Sequence, residues 1–224
     1  MIRSKTERRE RMAEIVARMK EIYPDAECAL KYGGDPWRLM VMGRLSAQCT
    51  DARVNEVSVH LFEKYPTAAD MAAADLSALE EIIRPCGLFR MKAENIKAAS
   101  AMICERFGGE LPGTMEELLL LPGVGRKIAN LLIGDVFGGD AIVCDTHCMR
   151  ICGRLGMYKE DLRDPDKIEK ILRELIASAE GSDFCHRIVF FGRDVCTARS
   201  PRCSECPLSS LCHKYERETV KAHG

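Results

Sequence analysis

Apolar positions recur along this chain at intervals of three and four residues, the period of helices with one buried face. Met12, Ile15, Val16, Met19 and Ile22 form one stripe that stops at Pro24. Val54, Val57, Leu61 and Phe62 form another, with Asp51 as its expected N-cap and Pro66 beyond its end. Asp35-Pro36 and Asp164-Pro165 each put a capping carboxylate before a proline at the first helical position, and Thr114 with Glu117 has capping-box spacing. Further helices are expected near 75–84, 92–107, 126–137, 146–155, 165–179 and 183–191. The run Ile188–Phe191 is apolar enough for a strand but lies in a helical frame opened by Ser182. The expected fold is all-α. No long repeat or low-complexity tract interrupts it, and the turn Gly138-Gly139-Asp140 is the expected boundary between two compact parts.

Composition narrows the class. With 224 residues, 46% hydrophobic and 30% charged, the chain has the make-up of a soluble globular protein rather than a disordered one. The first twenty residues carry charges throughout, and no uncharged apolar stretch approaches about 18 residues, so neither a secretion signal nor a membrane span is expected. A reducing cytosol is then the expected setting. There the 12 cysteines are thiols or metal ligands before they are disulfides. The balance of 33 Lys+Arg against 34 Asp+Glu argues weakly against a nucleic-acid partner. Its distribution weakens that argument further: residues 1–20 hold seven basic and three acidic side chains, whereas 159–180 hold five and seven. A neutral total can conceal a basic face.

Three segments depart from plain helix packing. Cys196, Cys203, Cys206 and Cys212 are spaced C-x6-C-x2-C-x5-C, with Pro201 and Pro207 between them. Four sulfurs on such short, polar loops point to a metal site; zinc ribbons use two C-x2-C pairs and only one is present, so the spacing leans towards an iron–sulfur cubane without excluding zinc. The second segment is Leu121-Pro122-Gly123-Val124-Gly125-Arg126-Lys127, a tight turn between two helical patterns, which is the helix-hairpin-helix pattern. Glycines there let backbone approach a phosphate, and the N–H groups opening the second helix point at the anion. Lys127 lies in that first turn, where the macrodipole disfavours a cation by roughly 0.3–1 kcal/mol. If it is also partly desolvated, its neutral amine becomes available to attack an electrophilic carbon. The third segment is Val143-Cys144-Asp145-Thr146-His147, in which a carboxylate at a helix start is either an ordinary N-cap or half of an amine–carboxylate pair.

LPGVGRKIAN, VCDTHCMRICGRLG and the cysteine quartet, with LSAQCTD at 45–51 and GLFRMKAENI at 87–96, resemble in order the endonuclease III family of base-excision repair enzymes, from about Ile22 to Cys212. The resemblance implies a helix-hairpin-helix glycosylase fold of two lobes: a continuous six-helix lobe over 29–139, and a discontinuous one made of 1–28 plus 140–224 with a cluster loop at 196–212. It implies a 4Fe-4S cluster on Cys196, Cys203, Cys206 and Cys212. The implied partner is double-stranded DNA with damaged bases or abasic sites, no membrane is involved, and a monomer suffices. Lys127 matches the nucleophile that attacks C1′, forms a Schiff base and cleaves the strand by β-elimination, and Asp145 matches the catalytic carboxylate. Gln48 and Leu88 match residues that fill the space vacated by the extruded nucleotide, and Gly123, Gly125 and Arg126 belong to the phosphate-binding hairpin. His147 would support the Asp145 region, and Arg199 and Arg202 would contact phosphate from the first cluster loop. Cys144 and Cys148 depart from the side chains common in relatives, which bears on packing around Asp145. The Lys-Ala-His-Gly end carries no visible function.

Two rivals stand beside this reading. A monofunctional mismatch adenine glycosylase shares the fold, cluster and aspartate, but lacks a lysine at the hairpin position. A non-catalytic helix-hairpin-helix DNA-binding module with zinc on the cysteines would make Lys127 and Asp145 incidental.

Overall fold

The computed structural model describes residues 3–223, the last three by backbone alone. The Lys-Ala-His-Gly end therefore lies outside the described side chains. Among the described residues there are twelve α-helices and no strand, the all-α architecture that the periodicity predicts. They are α1 Lys5–Ile22, α2 Pro36–Leu45, α3 Asp51–Lys64, α4 Ala68–Ala73, α5 Leu76–Ile83, α6 Phe89–Arg106, α7 Met115–Leu118, α8 Arg126–Asp135, α9 Thr146–Arg154, α10 Pro165–Arg173, α11 Gly181–Asp194 and α12 His213–His223. No helix is long and apolar enough to cross a membrane. The chain divides into two compact units, Cys28–Gly138 and Met1–Glu27 with Gly139–Gly224. The first has seven α-helices, α2 to α8.

Helix starts follow the side chains that can satisfy free N–H groups. Asp35 and Asp164 cap α2 and α10 with proline at the next position, as the sequence predicts. For α3 the expectation needs correcting: the cap is Thr50, whose hydroxyl accepts from Arg53 N–H at 3.3 Å, and Asp51 is the first helical residue. There Asp51 still favours the positive helix end. Thr114 accepts from Glu117 N–H at 3.3 Å and donates its hydroxyl to the Glu117 carboxylate at 2.8 Å. Helix α4 opens with a reciprocal Thr67–Asp70 box that the apolar pattern does not reveal, because so short a helix carries only Ala68 and Met71 inward.

The core of the unit Cys28–Gly138 is built from α2, α3, α4, α5, α6 and α8, with Leu39, Met42, Val54, Leu61, Met71, Ile96 and Leu132 sealed from solvent. Trp37 is buried edge-on against Phe62, with ring centroids 5.5 Å apart, and donates its indole N–H to Ser100 Oγ at 3.0 Å, so its one polar atom is satisfied. In the other unit α11 packs on α1 and α9. Met12, Ile15, Val16 and Met19 of α1 form the predicted buried stripe, and Phe184, Ile188 and Phe191 of α11 are buried as well.

Candidate functional site

The hairpin turn starts with Leu118 and Leu121 buried beneath it. Val124 N–H closes the turn on Leu121 O at 3.0 Å, and Gly123 takes φ +78°, a conformation that side chains resist. A Cβ at Gly123 would lie 2.7 Å from Asn95 Cβ and 2.8 Å from Arg44 Nε. Arg44 Nε in turn donates to Asn95 Oδ1 at 3.0 Å, so the turn rests on a fixed polar shelf. Gly125 differs. It is the N-cap of α8, has extended backbone and no side-chain cap, and a Cβ there would meet nothing within 4 Å. Arg126 and Lys127 open α8, and both are exposed. The partial desolvation considered for Lys127 is therefore not provided by its own surroundings.

Asp145 is the N-cap of α9, half-buried, and its Oδ1 accepts from Cys148 N–H at 2.8 Å. The side chain of Cys148 belongs to a group of thiols. Hydrogen bonds to the thiols of Cys144, Cys152 and Cys185, together with full burial, push the Cys148 thiol well up, so that thiol stays uncharged. Cys185 Sγ also accepts from Val143 N–H at 3.2 Å. Cys148 thus both donates its N–H to the carboxylate and buries a neutral thiol among its neighbours. His147 Nδ1 lies 3.2 Å from the Arg150 guanidinium, and a Cβ on Gly192 of α11 would come within 2.4 Å of that nitrogen. Close helix approach, rather than turn geometry, requires that glycine.

Cys196, Cys203, Cys206 and Cys212 are free, partly buried, and line one cavity with Ile151, Leu155, Phe191 and Val195. Burial pushes Cys206 up to about 11 and raises Cys203 and Cys212 as well. Left alone these are protonated thiols, and binding a cationic centre must displace their protons. Converging sulfurs in a mostly apolar cavity fit a thiolate-ligated group. Arg154, 8% exposed, donates to Thr197 O at 2.8 Å, to Ala198 O at 2.9 Å and to Cys196 Sγ at 3.3 Å. Arg150 donates to Cys196 O at 3.0 Å. Sequence reasoning missed both arginines, although they follow His147 at three and seven residues along one face of α9. Of the two expected phosphate contacts in the loop, Arg199 is exposed, whereas Arg202 pairs with Asp194 Oδ1 at 2.6 Å.

Gln48 and Leu88 are both exposed, and both hold positive φ, 55° and 49°; among the described residues no other non-glycine does. Sequence reasoning did not single out the side chain beneath them. Lys92 of α6 has no exposed surface, and its Nζ donates to Leu45 O at 2.8 Å, Ala47 O at 2.8 Å and Cys86 O at 2.9 Å. Burial lowers its pKa.

Comparison with known proteins agrees with this arrangement. Residues 41–178 match the HhH-GPD superfamily of base excision DNA repair proteins, and residues 196–212 match the iron-sulfur binding domain of endonuclease III, so the quartet lies in an iron–sulfur binding segment. Endonuclease III of Synechocystis sp. is 45% identical over 95% of this chain and 96% of its own length, and that of Bacillus subtilis is 44% identical over 90% and 91%. A trapped endonuclease III–DNA covalent intermediate superposes with a TM-score of 0.88 at 42% identity, over 97% of this chain and 100% of that one. A non-covalent endonuclease III–DNA complex superposes equally well, over 95% and 98%. A motif-bearing hairpin, a carboxylate at a helix start and a cysteine quartet, joined to these matches across nearly the whole chain, make the protein a member of the endonuclease III family.

Proposed function

We propose that Lys127 and Asp145 carry the reaction of this family, in which a bifunctional DNA glycosylase and abasic-site lyase acts in base excision repair, and that the damaged bases removed are oxidised pyrimidines in double-stranded DNA. The observation that carries the reading is the pair of helix starts. Lys127 stands exposed at the opening of α8, where an incoming strand can reach its amine, and Asp145 is fixed at the opening of α9 by the Cys148 N–H bond. The Lys127 amine attacks C1′ as the glycosidic bond breaks and the base departs. The sugar ring opens to a Schiff base, and loss of a C2′ proton then breaks the C3′–O bond on the 3′ side. The Asp145 carboxylate stabilises the cation developing at C1′ and assists the amine.

The uncapped start of α8, behind Gly125, suits a backbone phosphate, and Gly123 and Arg126 support that contact. His147 braces the Asp145 turn through Arg150, and Arg199 and Arg202 add phosphate contacts from the cluster loop. Extruding the target costs about a few kcal/mol, and Gln48 and Leu88 fill the space left in the stack. On this reading the lobe 29–139 presents the hairpin, and the lobe of 1–28 with 140–224 presents Asp145 and the loop 196–212. That loop takes a 4Fe-4S cluster on Cys196, Cys203, Cys206 and Cys212. The cluster supplies no step of the reaction; it closes the loop and sets its basic side chains. A cytoplasmic monomer is sufficient for this chemistry.

Borohydride trapping tests the assignment. DNA carrying thymine glycol or an abasic site should give a covalent adduct with the protein and none with Lys127→Ala. Absence of an adduct, or equal trapping by the variant, would overturn it.

A further inference from the structure

Lys92 is an unexpected residue to find sealed inside a helical core. Its ammonium sits in the first turn of α6, at the positive end of the helix dipole, and it is fully removed from water. Both terms oppose a cation there, and a leucine or methionine would fill the same volume without either cost. What the cation gains is three carbonyl acceptors brought in from two separate places in the chain. Leu45 O and Ala47 O belong to the turn that delivers Gln48, and Cys86 O belongs to the turn that delivers Leu88. Beneath the same turns the Cys86 thiol meets that of Cys49, which binds the two segments at a second point.

Both delivered residues hold the left-handed backbone conformation that side-chain-bearing residues avoid. Such strain persists only where the surroundings over-determine it. A single ammonium with three donors, shared between the turns, fixes them to each other as well as to α6. We infer that Lys92 is a positioning residue: it locks the Gln48 and Leu88 turns as one rigid double wedge, so that the two side chains enter the duplex together. The inference rests on the reading of Gln48 and Leu88 as the residues that fill the vacated stack.

A cycle of variants tests it with two substrates. The first is a thymine glycol duplex, where excision requires the stack to be refilled. The second is a single strand with an abasic site, where borohydride trapping needs no refilling. Lys92→Met should slow single-turnover excision from the duplex at least tenfold and change single-strand trapping by no more than about twofold. In a Gln48→Ala/Leu88→Ala background the same substitution should have no further effect. With 2-aminopurine beside the lesion, the fluorescence rise that reports opening of the duplex should shrink in Lys92→Met.

If Lys92→Met slows both substrates equally, slows neither, or multiplies the defect of the wedge-less background, the assignment of Lys92 fails. If the wedge-less protein excises from the duplex at the wild-type rate, the reading of Gln48 and Leu88 fails first and takes the role of Lys92 with it. Should Lys92→Met not fold, Lys92→Gln, which keeps a donor but loses the charge and one bond's reach, is measured on the same pair of substrates with the same outcomes.

Discussion

The starts of α8 and α9 both bear a chemistry-carrying side chain, yet they are built in opposite ways. Helix α9 is closed from within: Asp145 occupies the cap and binds the N–H of Cys148, whose own thiol is buried and neutral. Helix α8 is left open: its cap is a glycine with no side chain to offer, and the first two side chains point to solvent. A carboxylate that must act on a transient cation has to be held in place before substrate arrives, because reorganisation during the reaction would consume its advantage. A helix start that receives a phosphate has to keep its N–H groups for that ligand. On the proposed reading, the filled cap fixes a carboxylate in advance, while the vacant one leaves its N–H groups to a phosphate beside the attacking amine.

Removing the charge of Asp145 while keeping its cap should have the largest effect. Asn caps helices as well as Asp, so Asp145→Asn should leave the melting temperature within about 2 °C while lowering the single-turnover excision rate on the order of 10²–10³-fold. A large melting shift with intact excision would reduce Asp145 to a cap. On the hairpin side, Gly123→Ala adds a Cβ against Asn95 and Arg44 at positive φ and should cost about 1–3 kcal/mol by urea unfolding. Arg154→Gln strips donors from Thr197 O and Ala198 O and should cost a similar or smaller amount, about 1–2 kcal/mol. It should also shorten retention of the iron–sulfur absorbance in chelator. The smallest and most diagnostic change is Gly125→Ala, which meets no atom at a normal φ: stability should hold within about 0.5 kcal/mol, while DNA affinity, by fluorescence anisotropy, falls several-fold. Unchanged affinity would mean that the vacant cap receives nothing.

Much of this was legible in the sequence because it is local. Caps such as Asp35-Pro36 and stripes such as Met12 to Met19 are decided by neighbours a few residues away, and the Leu-Pro-Gly-Val-Gly turn carries its own geometry. Adjacent candidates defeat such reading: Thr50 and Asp51 can both cap, and the helix starts after the first. Lys92 was illegible for a deeper reason. A lysine inside an amphipathic pattern reads as solvent-facing, and its acceptors at 45, 47 and 86 converge only when α2, the Cys86 turn and α6 pack together. The grip of Arg150 and Arg154 on the cysteine loop is equally non-local, joining positions more than forty residues apart.

That grip gives α9 a second character. It is a strut of nine residues, roughly 13 Å long, with a carboxylate at one end and two guanidinium clamps towards the other. A rigid strut transmits the condition of its anchored end. On the proposed reading, iron content and strand cleavage become linked quantities: the same helix carries the carboxylate and holds the cysteine loop, so the yield of cut DNA should track the iron content of the preparation.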